Sequence, residues 1–400
     1  MKGAAWHPRR GRFNLERALD PARLPWLRVD WHILLIALSL LAIGLMFVKG
    51  MADADERFDR SDIVFQSHLT KMLIALPALF AAMCVRARWL RSNAWLAFGV
   101  CIVLLLLVPV LGQERNNARR WIQLPGGFDL QPSELAKLGF AIAMARLLYT
   151  RRMKEAQDWL RAGALLAVPM GLVMVQPDLG TALTLVPVGA GMIYLAGASG
   201  RSILKLAVAA AAVSWIAVQL DLVRPYQLQR IQTWRESWAA TDLILARNGP
   251  AFHAYHNRVS IGNGGLLGQG LGQGVANQAA HLPERDCDSI FSVVAEEAGF
   301  LGASGILALY TLLIVLLLHS ASGVRERFSR LVVGGIALIF ASHLVVNVGV
   351  NLGLMPLTGL PLPLFSTGGS SLLASFAALG LALGLAAQSE PTFDEDAFRD

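Results

Sequence analysis

Charge is scarce in this chain: only 16% of its 400 residues are Asp, Glu, Lys or Arg, where soluble domains carry about 25%. So little charge cannot cover a soluble surface, which excludes an ordinary cytosolic or secreted domain. Cysteine is scarcer still, with Cys84, Cys101 and Cys287 alone. The topology derived below puts the first near an inner face, the second within a span and the third outside, so no two can meet as a disulfide. No H-E-x-x-H motif or cluster of His and Cys occurs, and the sequence gives no support to a built-in metal site. Internal repeats, low-complexity tracts and a separate soluble domain are missing as well.

What the chain has is apolar residues, 55% of the total, with a mean hydropathy of +0.51. Apolar runs lie near 31–51, 67–85, 94–111, 133–150, 162–178, 180–198, 202–220, 289–318, 331–353 and 369–388. One helical membrane crossing needs about 20 such residues. The expected fold class is therefore all-α, a polytopic membrane protein of about ten transmembrane helices. Residues 31–388 form the membrane domain, between a basic segment 1–30 and an acidic tail 389–400, with one long loop, 221–288, between helices seven and eight. The run 289–318 is too long for a perpendicular span, and Gly299, Gly302 and Gly305 predict a tilt or break within it.

Orientation follows from arginine. Arg9, Arg10 and Arg12 precede the first run, Arg86, Arg88 and Arg91 follow the second, Arg151, Arg152 and Lys154 the fourth, and Arg325, Arg327 and Arg330 the eighth. Positive loops stay inside, so both termini are expected in the cytoplasm and 221–288 in the periplasm. The net charge of +7 then faces anionic lipid, and nucleic acid is not an expected partner. The first run lacks a small-residue cleavage site and reads as a retained helix. Arg115, Arg119 and Arg120 break the rule by lying outside.

Several polar groups need a reason. QPSELAKL opens a helix at Pro132 and sets Glu134 and Lys137 on one face, with Asp178 of QPDLGT at a similar depth. An ionised group at mid-membrane costs about 2.5–3.5 kcal/mol on insertion scales, so these must be paired or face a wet cavity. Two readings stand: an ion cluster locking helices, or contacts to substrate. Arg119 and Arg120, with Trp121, could fork onto phosphate oxygens of a lipid-borne ligand, or anchor lipid head groups. The glycine-rich run 262–274 lacks the G-x-G-x-x-G spacing and reads as close backbone packing more readily than as an anion nest. Glu296, Glu297 and His343 read as helix–helix contacts. In LPERDCDSIF, residues 282–291, acids crowd before the eighth run; a carboxylate at that membrane edge suits a base that takes a proton from a hydroxyl, or simply a solvated helix start.

The motifs ARRWI, QPSELAKL, QPDLGTAL, YQLQRI, IGNGGLLGQG, LPERDCDSIFSVVAEEAGFLG and NVGVNLGLMPLTGLPLPLFSTGGSS, in this order, resemble the SEDS (shape, elongation, division and sporulation) family across nearly the whole chain. TGLPLP and YQLQRI look like its elongation, or RodA, branch; the division, or FtsW, branch usually has Thr where Pro361 stands. The resemblance implies an inner-membrane glycosyltransferase that polymerises lipid II into glycan strands and releases polyprenyl pyrophosphate. It implies partnership with a class B penicillin-binding protein, the transpeptidase, and with other elongation-complex membrane proteins. The family pattern L-P-E-x-x-T-D-F-I-F places the essential loop acid on Asp288, and its buried polar group falls on Glu134, Lys137 and Asp178. Departures are Asp286 for His, Cys287 for Thr, Ser289 for Phe and Thr367 for the Tyr of S-Y-G-G-S.

Two other functions fit the same features, a flippase for lipid-linked sugars and a scaffold without catalysis. In the enzyme reading Asp288 is the general base, while Arg119, Arg120, Trp121, Glu134, Lys137 and Asp178 meet the substrate. No metal is bound by the chain itself, and Mg²⁺ is an optional companion of the substrate pyrophosphate.

Overall fold

The computed structural model describes residues 29–57, 63–115, 118–123, 128–151, 153–219, 225–239, 251–278 and 282–388. The expected basic N-terminal segment and acidic tail lie almost wholly outside these residues. Helices α1 (Trp31–Arg57), α2 (Ile63–Met83) and α3 (Ala87–Leu111) come first. Three short strands follow, β1 (Gln113–Arg115), β2 (Ala118–Gln123) and β3 (Asp129–Leu130), then α4 (Pro132–Leu148), α5 (Ala156–Val175), α6 (Leu179–Leu195) and α7 (Gly200–Gln219). The long loop contains α8 (Pro225–Ala239), α9 (Phe252–Asn263) and α10 (Val275–Gln278), and the chain closes with α11 (Ile290–Gly323), α12 (Arg327–Asn351) and α13 (Gly369–Ala387).

Each of the ten apolar runs coincides with a helix, because in lipid a backbone must satisfy its own hydrogen bonds. Among the described residues six helices are individually long and apolar enough to cross a membrane, and α6 is apolar but shorter. Leu96 and Val110 of α3 are 65% and 76% exposed, which suits a face turned to hydrocarbon. At the centre, α12 is buried along most of its length and packs on α4, α6 and α11.

The fold is not purely helical. β1, β2 and β3 form an antiparallel sheet over the start of α4, and strand alternation sends neighbouring side chains to opposite faces. Arg120 turns inward to the carbonyls of Gln176 and Pro177. Arg119 points outward, 3.5 Å from Glu114.

α11 has 34 residues, about 51 Å of helix against a hydrocarbon core of about 30 Å. The expected break falls at Gly299, whose φ of 67° and ψ of −168° leave the helical region. The break frees backbone groups on both sides, and the glycine-rich run takes them: Gln269 and Gly270 amides donate to the carbonyls of Glu296 and Glu297, while Phe300 and Leu301 amides donate to Gly265 and Leu266. A Cβ at Gly299 would lie 2.3 Å from the Gly268 nitrogen. The run is therefore a backbone lock on a broken helix, with its glycines required by close approach.

The two ends of the bundle differ in chemistry. At one end, Arg91 pairs with Glu326 at 2.8 Å and Arg151 with Asp158 at 2.6 Å, and Arg327 donates to the carbonyls of Arg151 and Ala196. At the other end the sheet, the 176–178 turn, the long loop and the 352–368 segment converge, and there the polar residues singled out above collect.

Candidate active site

The decapeptide is clamped through its backbone. The Asp286 carbonyl accepts from the Thr367 amide and hydroxyl, the Cys287 carbonyl from Ser366 Oγ at 2.6 Å, and the Asp288 carbonyl from Asn347 and Asn351 side chains at 3.0 and 2.9 Å. Three consecutive carbonyls are thus held by α12 and the segment before α13. Asn347 and Asn351, one turn apart, are linked to each other, and Ser292 donates to Asn351 at 2.7 Å. Such fixed backbone leaves a side chain little freedom to drift.

The Asp288 side chain projects from this clamp. The residue is 9% exposed, and its Oδ1 is sealed from solvent with no hydrogen-bond partner. Gly359, with φ 71°, brings backbone without a side chain beside it: a Cβ there would lie 3.8 Å from Oδ2. Burial first, then the negative charge of Glu284, pushes the Asp288 carboxyl up to about 7, against a smaller pull from Arg230. A carboxylate poised near neutrality and not consumed by an ion pair is what a general base requires.

The other acids have other duties. Asp286 accepts from Thr367 Oγ1 at 2.5 Å, so two departures from the family pattern, at 286 and 367, are bonded to each other. Arg285 does not flank Asp288 as its place in sequence suggests; it reaches Asp55 at the end of α1. Glu284 is itself raised by burial and by Asp286.

Glu134 and Lys137 form the expected pair, 3% and 2% exposed and 2.6 Å apart. Lys137 Nζ also lies 2.5 Å from His343 Nε2, whose Nδ1 is 3.2 Å from the Pro361 carbonyl. Since a carbonyl only accepts, Nδ1 carries the proton and Nε2 receives the ammonium. A cavity of about 20 Å³ beside them, lined in part by Ser375, is large enough for one water. Asp178 does not join this group. It accepts from Gln131, Ser133 and Thr181 and sits 3.9 Å from Arg120, capping α6. Sequence put the three charges at one depth but could not show that Glu134 and Lys137 on α4 turn to His343 while Asp178, at the start of α6, bonds to Gln131, Ser133 and Thr181.

The 352–368 segment joins these groups. Leu360 accepts from Asn347, Pro361 meets His343, and Thr358 packs against Gly180 at the start of α6. From outside, α8 fixes the segment: Trp234 and Trp238 both donate to the Gly353 carbonyl, at 2.6 and 2.7 Å, and Arg230 to Leu357 at 2.6 Å. Trp121 stands half-buried on β2. Asn347, Asn351, Ser366 and His253 were not anticipated. The signal for the first two was present, since two Asn four residues apart in an apolar helix share a face and need partners. Among the described residues no three His, Cys, Asp or Glu side chains gather as a metal cage.

The arrangement defines a multi-pass membrane protein with a buried carboxylate where a long extramembrane loop enters the bundle. The cell cycle protein family FTSW_RODA_SPOVE matches residues 30–390, so the chain belongs to this family, the SEDS proteins. A probable peptidoglycan glycosyltransferase FtsW of Coxiella burnetii is 32% identical over 371 residues, covering 90% of this chain and 97% of that one. The RodA crystal structure of Thermus thermophilus superposes with a TM-score of 0.67 at 31% identity, over 92% of this chain and 99% of RodA. A structure described as "Structural coordination of polymerization and crosslinking by a peptidoglycan synthase complex" gives a TM-score of 0.76 at 32% identity, over 90% of this chain and 98% of its own.

Proposed function

We propose that this chain polymerises lipid II into glycan strands, with Asp288 as general base. The observation that carries the reading is the Asp288 carboxyl itself: clamped at its backbone, buried, and without a hydrogen bond on Oδ1. Asp288 takes the proton of the acceptor sugar hydroxyl as its oxygen attacks the donor's anomeric carbon, and polyprenyl pyrophosphate leaves. Arg119 is an outward cation for that leaving group; Arg120 shapes the outer turn by holding the carbonyls of Gln176 and Pro177. Half-buried Trp121 is the residue of this group open to the substrate, while Glu134, Lys137 and Asp178, none more than 3% exposed, brace the helices behind the site. Any Mg²⁺ comes with the pyrophosphate.

The FtsW relative and the RodA structure lie at nearly equal identity, so branch assignment rests on TGLPLP and YQLQRI, which favour elongation. A class B penicillin-binding protein is the proposed partner, supported by the description of the matched synthase complex. Purified chain, given labelled lipid II and that partner, should make polymer and release polyprenyl pyrophosphate. Transbilayer movement of lipid II without polymer would indicate a flippase, and neither would indicate a scaffold.

The arginine-rich end faces the cytoplasm of the inner membrane in this reading, with both termini on that side. Cys287 is a poor topology reporter, because burial, and next the charge of Asp288, hold its thiol well above the ordinary range. In a background with Cys84, Cys101 and Cys287 changed to Ser, Glu236→Cys on exposed α8 should be labelled in intact spheroplasts. Exposed Arg88→Cys should need permeabilisation. The reverse pattern would invert the topology.

A further inference from the structure

A base that has taken a proton must release it before the next sugar is joined, and the Oδ1 of Asp288, on a side chain only 11% exposed, has no direct route to water. His253 on α9 places Nε2 3.9 Å from that oxygen, and its side chain keeps 18% of its surface exposed. The same nitrogen lies 2.6 Å from Ser289 Oγ, a hydroxyl at the position where the family pattern has Phe. Imidazole therefore bridges a buried carboxylate and solvent, held in place by a side chain that this chain has and the pattern lacks.

We propose that His253 is the proton outlet of Asp288, a positioning residue that acts through Asp288 and touches no substrate atom. The proposal rests on Asp288 being the base. In the transfer step the acceptor O–H bond breaks and its proton bonds to the carboxylate, while the new bond to the anomeric carbon forms. The old bond to the pyrophosphate oxygen breaks, and its electron pair leaves with the pyrophosphate. The Ser289 hydroxyl then turns aside, the carboxyl proton passes to the lone pair on Nε2, and the imidazolium gives a proton to water. Carboxylate and neutral imidazole are restored.

Burial first, then the neighbouring His256, holds His253 down to about 4, so the ring is neutral at pH 7 and its lone pair is free to accept. The titratable groups beside it are His256 on its own helix and Asp288 at 3.9 Å, while Glu284, Asp286 and Arg230 act in turn on Asp288. The transfer runs uphill by about three pKa units, roughly a thousandfold in population, which a proton transfer tolerates when turnover is 1–10³ s⁻¹. A separation of 3.9 Å closes with a small side-chain rotation, as catalytic contacts in unliganded sites commonly do.

The test uses the full-length protein reconstituted with labelled lipid II. His253→Gln retains an amide able to bond Ser289 but carries no proton, and it should lower kcat at least about tenfold with KM unchanged. His253→Ala should be equally slow and should recover as imidazole is added, in proportion to unprotonated imidazole. Asp288→Asn, run in parallel, should gain nothing from imidazole. A well-folded His253→Gln with wild-type kcat, or a slow His253→Ala indifferent to imidazole, would overturn the outlet while leaving Asp288 as base. Normal polymer from Asp288→Asn would instead overturn the reading on which the outlet depends.

Discussion

Asp288→Asn abolishes most polymerisation while the protein still inserts, folds and binds its partner: this is the expected result, read as polymer formed from labelled lipid II. Asn keeps the size and shape of the side chain and leaves the Asp288 carbonyl in its Asn347–Asn351 clamp. What it removes is the basic lone pair, a loss of about 10²- to 10⁴-fold where general base catalysis operates. Asp286→Asn should be much milder, because Asp286 is engaged with Thr367 and aims its charge there. The stability effect has the opposite sign. The folded state holds the Asp288 proton more tightly than the unfolded chain, with a value raised from 3.8 to about 7. Stability therefore falls as pH rises across that interval, and Asn, which never ionises, escapes the loss. An inactive Asp288→Asn protein that melts no lower than wild type at pH 8 separates chemistry from misfolding.

The second large effect concerns Lys137. Removing one partner of a buried ion pair costs about 3–5 kcal/mol, because a charge is left without compensation. Lys137→Met leaves Glu134 without its ammonium and His343 Nε2 without its donor. Both lie in the heart of the bundle, so the variant should lose most folded protein in a detergent melting assay. Adding Glu134→Gln removes the stranded charge and should restore part of the loss. Simple additivity of the two changes would disprove the coupling. Asp178→Asn, by contrast, should add to Lys137→Met within about 0.3–0.5 kcal/mol, since Asp178 bonds to Gln131, Ser133 and Thr181 and to neither Lys137 nor Glu134.

The helices were legible because lipid imposes one requirement, a long apolar run, and local composition reports it directly. Gly299 was legible for a related reason: a run too long for the bilayer must break, and glycine marks where. The Glu134–Lys137 pair follows from a three-residue spacing on one helix. What could not be read depends on contacts between distant segments. Arg285 meets Asp55, 230 residues away, and the clamp on residues 286–288 comes from α12 and the 366–367 turn. The strands between 113 and 130 are short and charged, so their alternation is hidden among arginines that break the positive-inside rule. Arg120 sits at that end of the bundle because the carbonyls of Gln176 and Pro177 and the charge of Asp178 hold it there. His253 lies in a stretch without strong periodicity, and only the fold brings it to Asp288.

The most direct test of Asp288 as base is the pH dependence of polyprenyl pyrophosphate release at saturating lipid II, measured for wild type and Asp288→Asn side by side. A base works only when deprotonated. Wild-type rate should therefore climb roughly tenfold per pH unit below neutrality and level off above about 7, where the Asp288 carboxyl ionises. Asp288→Asn should stay low and lack that inflection. The same inflection near 7 in Asp288→Asn, or release close to the wild-type rate, would contradict the account and place the base on another group.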